Sequence, residues 1–111
     1  MEDRELISAR TSLTVAEVED LLAAQLGGQW TTPGIRGRVL STTEGRVSVV
    51  PDVVTRGGVG VLPKAANSVS QRAFAERVFE ALAQRLPGRI ELLDATDTPI
   101  KVRPARPGAA A

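Results

Sequence analysis

One stretch constrains this 111-residue chain more than any other: residues 68–103, where an amphipathic helix runs through a Pro-Gly stop into a two-stranded hairpin. Phe74, Val78, Leu82 and Leu86 recur at four-residue steps, and Ala75, Phe79 and Ala81 widen the stripe. Arg72, Glu76, Arg77, Glu80 and Gln84 fall largely on the other faces, which gives one buried side and one wet side. Ser68 and Gln71 stand at the capping-box spacing, with Ser70 as a competing cap. Pro87 disfavours helical geometry at Leu86, and Gly88 suits the left-handed turn that closes a helix. A helix is therefore expected over 70–86. Beyond it, 89–93 and 99–103 read as strands around the turn 94–98, which Asp94 and Asp97 are placed to shape through side-chain to backbone bonds. Ile90, Leu92, Ile100 and Val102 then share the core side, with Arg89, Glu91, Leu93, Lys101 and Arg103 on the other.

The preceding part reads as a looser version of the same pattern. Residues 6–11 alternate as a short strand. Thr14 and Glu17 form a second capping-box spacing, opening a helix over 14–26 whose stripe is Val15, Val18, Leu22 and Leu26 and whose end is Gly27-Gly28. Residues 29–34, QWTTPG, read as a loop holding the chain's one tryptophan. Trp30 is a candidate anchor for a partner, weighed against the commoner role of a lid folded onto its own core.

Residues 35–42 and 46–50 then make a hairpin around Thr43-Glu44-Gly45, with Gly45 available for positive φ. Alternation sets Ile35, Gly37, Val39, Val47 and Val49 toward the core and Arg36, Arg38, Leu40, Arg46, Ser48 and Val50 on the opposite face. After a turn-rich connection, 59–62 is a brief strand ended by Pro63. Gly57, Gly58 and Gly60 lack the spacing of a phosphate loop and precede a strand, where such a loop leads into a helix.

Two hairpins thus start Gly-Arg and finish with proline, each following a helix that follows a strand. The chain reads as βαββ twice, a duplication weighed against chance patterning. The fold class is α+β: a largely antiparallel sheet of about six strands with two helices on one face. Residues 1–103 form a single domain, and the Pro/Ala-rich segment 104–111 is a disordered tail.

No motif names a reaction. The absence of Cys and His removes thiol nucleophiles, the usual general base and the thiolate and imidazole ligands that zinc and copper favour, so neither cofactor nor metal is expected. No apolar run nears the roughly 18 residues of a membrane span, and the acidic start is unlike a secretion signal, so a cytoplasmic protein is expected. Net charge is +1, yet residues 1–26 hold six carboxylates against Arg4 and Arg10, while 27–72 hold six cations against Glu44 and Asp52.

Function is sought on the sheet face that the helices leave open. Its candidate interface is Arg36, Arg38, Leu40, Arg46, Val50, Arg89, Leu93, Lys101 and Arg103, basic with apolar islands. A small non-catalytic binding or accessory protein follows, self-associating as a homodimer or meeting another protein. One alternative is a nucleic-acid-binding module using the arginines, weakened by the lack of stacking aromatics on that face. Another is an inhibitor or immunity-type protein.

Overall fold

The computed structural model of the chain describes residues 5–31, 39–51, 58–94, 96 and 98–105. Its elements are β1 (Leu6–Arg10), α1 (Val15–Leu26), β2 (Gln29–Thr31), β3 (Val39–Ser41), β4 (Gly45–Pro51), β5 (Gly58–Ala65), a 3-10 turn (Ser68–Ser70), α2 (Gln71–Arg85), β6 (Ile90–Leu93) and β7 (Pro99–Arg103). Among the described residues these strands form one sheet of seven, in the order β2-β3-β4-β5-β1-β6-β7, with every neighbour antiparallel. The α+β class holds. Helix α1 packs against β4 and α2, and α2 against β5, β6 and β1, so both helices cover the same face.

Local chemistry explains the helix ends. In α1 the Thr14 hydroxyl accepts from the Glu17 amide at 3.2 Å, and Glu17 Oε1 accepts from the Thr14 amide at 3.0 Å, completing the capping box. Gly27, at φ 74°, closes it by donating its amide to Ala23 O. The start of α2 is built differently. Ser70 makes no side-chain cap bond, its own amide donates to Asn67 Oδ1, and the Gln71 side chain turns away toward β5. At the other end Leu86 leaves the helix in extended geometry, as a residue before proline must. Neither Gly45 nor Gly88 has positive φ; both are places of close approach, where a Cβ would lie 2.3 Å from Lys64 O and 2.1 Å from Arg10 O.

The core lies between sheet and helices. Ile7, Leu22, Leu40, Val61, Leu82, Ile90 and Leu92 are fully buried there with Phe74 and Val78. Leu40 is a correction to the expected facing. The connection between β3 and β4 closes with the Thr42 amide donating to Gly45 O, so two residues turn the chain where three were expected. That moves the register by one, pairs Leu40 with Val47 and sends Leu40 into the core, leaving Val39 on the open side.

The second hairpin is slipped likewise. Leu92 pairs with Lys101 and Leu93 with Pro99, so Ile100 is the extra residue of a bulge, packed against the core. Lys101 and Arg103 therefore stand on the helix side, and Val102 is 42% exposed on the open side, the reverse of the alternation read from 99–103. Strand β5 also outruns expectation, continuing through Pro63 to Ala65. Residues 29–31, expected as loop, form β2, where Trp30 lies opposite Leu40 and packs on the core.

A duplication is not confirmed. Setting Gly37 against Gly88 aligns Val39 with Ile90 and Leu40 with Glu91, yet Ile90 and Leu40 are the buried members. The two hairpins also meet the central pair β5-β1 through different strands, the first through its second strand β4 and the second through its first strand β6.

Candidate functional site

The helix-free face is built from the residues that alternate with the core. Across its centre Leu6 pairs with Leu93, Ser8 with Gly60 and Glu91, and Val50 with Gly60. Glycine at position 60 lets the flanking side chains close in: a Cβ there would lie 3.3 Å from Val50 Cγ2 and 3.4 Å from Leu6 Cδ1. With Leu62 two residues along β5, this makes an apolar band across β4, β5, β1 and β6, in which Val50 is 38% and Leu62 41% exposed. Val102 continues it onto the edge strand, opposite Glu91.

Cations stand at both ends of the band. Arg10 and Arg89 occupy one end, where Arg89 Nε lies 2.9 Å from Glu91 Oε1. At the other, Arg46 and Lys64 are direct partners across β4 and β5, both exposed, with Ser41 opposite Arg46 on β3. They line an open hollow of about 490 Å³ together with Thr42, Gly45, Ala65 and Ala66. The nearest carboxylate in sequence, Glu44, turns to the other layer and pairs with Arg77 of α2.

Of the residues expected on this face, the structure brings together Arg46, Val50, Arg89 and Leu93. Leu40, Lys101 and Arg103 lie on the helix side, as does Trp30, expected in a loop as partner anchor or core lid, and Arg36 and Arg38 fall outside the described residues. Leu6, Leu62, Lys64 and Val102 join it unforeseen. The signal for Lys64 was alternation continuing past Pro63, hidden by reading that proline as a strand end, whereas Leu62 lay inside the expected strand 59–62 with no face assigned to it.

The displaced cations serve the fold. Lys101 Nζ donates to Glu80 Oε1 at 3.1 Å, lies 3.6 Å from Glu76 Oε1 and stands 5.8 Å from the centre of the Phe79 ring. The hydrogen bond to Glu80 raises the Lys101 amine above its ordinary pKa against partial loss of solvent. Arg103 donates to the carbonyls of Leu86 and, at 2.9 Å, Gly88, where the α2 terminus leaves its last oxygens without helical partners.

The β6–β7 turn takes the form expected at Asp94; Asp97 falls outside the described residues. Asp94 Oδ1 accepts from the Thr96 hydroxyl at 2.6 Å, the Thr96 amide at 2.8 Å and the Thr98 amide at 3.0 Å. The Thr96 hydroxyl, then the two amides, holds the carboxyl below its ordinary pKa. A lowered folded value means a contribution present above the unfolded pKa and lost as pH falls through the folded one. Carbon-detected titration should give Asp94 a midpoint below that of an unstructured aspartate, and Thr96→Ala should raise it. An unchanged midpoint in the variant would remove the hydroxyl as the principal cause.

Among the described residues no cluster of three or more acidic side chains could hold a metal ion, and no helix is long and apolar enough to cross a membrane. No protein-family model, curated protein or solved structure matches this chain.

Proposed function

We propose that this chain is a non-catalytic binding protein that acts through protein contacts on the helix-free face of its sheet. The observation that carries the reading is the apolar band of Leu6, Val50, Leu62 and Leu93 across four adjacent strands, with no described element packed over it. A sheet with one face on its core ordinarily presents polar residues on the other. A contiguous apolar patch rimmed by charge is instead the pattern of a contact surface. A chain without Cys, His or Tyr is also poorly supplied for chemistry of its own.

The double variant Leu62→Asp, Leu93→Asp tests the reading, since both side chains leave the core untouched. Wild type should either self-associate in sedimentation velocity or, as a monomer, bind the apolar dye bis-ANS while natively folded, and the variant should lose that response while keeping its thermal transition. A wild type that neither associates nor binds dye has a merely solvated face, and the reading fails.

A further inference from the structure

We propose that the occupant of this face is an acidic segment of an unlike protein, its carboxylates seated on Arg46 and Lys64 and its apolar side chains on Leu62 and Leu6. The inference rests on the binding reading above and names the partner's chemistry. Arg46 and Lys64 face each other directly on neighbouring strands, an arrangement that like charges destabilise. Among the described residues neither has a carboxylate within salt-bridge distance, and Glu44 is held by Arg77 on the other layer. An uncompensated pair at the rim of an open hollow, with the Ser41 hydroxyl beside it, is built to take an anion.

The surroundings choose the kind of anion. Leu62 lies two residues from Lys64 along the same face of β5, so a ligand reaching the cations also covers the apolar band. Phosphate backbones have no use for that band, and bases would find nothing to stack on: Phe74, Phe79 and Trp30, the chain's whole aromatic complement, lie on the helix side. A second copy fits poorly as well. The described part of the face carries Arg10, Arg46, Lys64 and Arg89 against Glu91 alone, already engaged by Arg89, so two such faces would meet with like charge.

The test is an amide-resolved titration of the labelled chain with acetyl-Glu-Glu-Leu-Glu-Glu-Leu-amide, its Lys-for-Glu counterpart and an oligothymidylate. The acidic peptide should shift Ser41, Arg46, Leu62 and Lys64, less as salt rises from about 50 to 500 mM. Arg46→Glu, Lys64→Glu should remain folded, bind the acidic peptide about tenfold more weakly, and gain binding of the basic one. Equal response to both peptides, or a wild-type dimer abolished by Leu62→Asp, Leu93→Asp, overturns the acidic partner and keeps the binding face. Stronger shifts with oligothymidylate assign the pair to phosphate and overturn it too. No response to any of these probes overturns the acidic partner, and if the wild type also neither self-associates nor binds bis-ANS the binding face falls with it.

Discussion

Leu40→Asp is expected to abolish folding, whereas Leu62→Asp leaves the domain intact. The two leucines are alike in sequence context, each directly following a valine. The structure separates them completely: Leu40 is 0% exposed between Trp30 and Val47, and Leu62 is 41% exposed on the opposite side of the sheet. Removing a buried leucine costs about 2–5 kcal/mol. An unpaired carboxylate in its place adds several more, because at 0% exposure it has neither water nor a cation. The sum is comparable with the whole stability of about 5–15 kcal/mol that a domain of this size holds. Circular dichroism and an amide correlation spectrum at room temperature should show a collapsed Leu40→Asp and a native Leu62→Asp. A folded Leu40→Asp with near wild-type melting would restore the three-residue turn and return Leu40 to the open face.

That contrast shows what was legible in the chain. Periodicities of four and two, with Thr14, Glu17, Gly27 and Pro87 as punctuation, were enough for the class, both helices and every strand but β2, because each is decided by neighbours in sequence. Facing was not. It depends on a turn of two or three residues at 42–45 and on a bulge at Ile100, and either slip of one residue exchanges the faces of a whole strand. Val39 and Leu40 are both apolar, so alternation alone could not choose between them.

Lys101 and Arg103 misled for a different reason. They sit on the last strand of the sheet, at the margin of the helix layer, where long stems cover apolar surface while charged heads reach Glu80 or the carbonyls of Leu86 and Gly88. Charge there did not mean the open face. Val50 and Arg46 were placed on the correct side because the 46–50 alternation is unambiguous, and the open face inherits its apolar and basic character from them. Pro63 read as a terminator because proline lacks a ladder donor, yet it lies beyond the described β1–β5 pairing, which ends at Ile7 and Val61, and its carbonyl accepts from a side chain 8 residues further on.

Replacing that side chain, Gln71, should be among the costliest changes available outside the apolar core. The described pairing of β1 with β5 ends at Ile7 and Val61, so Pro63 and Ala65 extend past it with backbone groups that β1 does not meet. The Gln71 amide stands in for the missing strand: Nε2 donates to Pro63 O at 3.0 Å, and Oε1 accepts from the Ala65 amide at 2.7 Å. Nε2 also donates to Glu5 Oε2 at 2.7 Å, while Arg72 Nε reaches Glu5 Oε1 at 3.3 Å, so a carboxylate only 3% exposed keeps two partners. Gln71→Ala strips all three bonds at once, and since a stranded buried polar group costs about 1–3 kcal/mol and these bonds are only partly buried, each contributes at the low end and a loss of about 3 kcal/mol follows. Gln71→Glu should cost more. It keeps an acceptor for Ala65 but withdraws the donor from Pro63 and sets a second carboxylate against Glu5. Adding Glu5→Gln to that variant returns a donor and removes the repulsion, so urea denaturation should show the double variant recovering part of the loss. A Gln71→Ala loss below about 1 kcal/mol, within the range of ordinary surface changes, or a double variant no better than Gln71→Glu alone, would mean that water serves these groups and that the amide does not close the sheet.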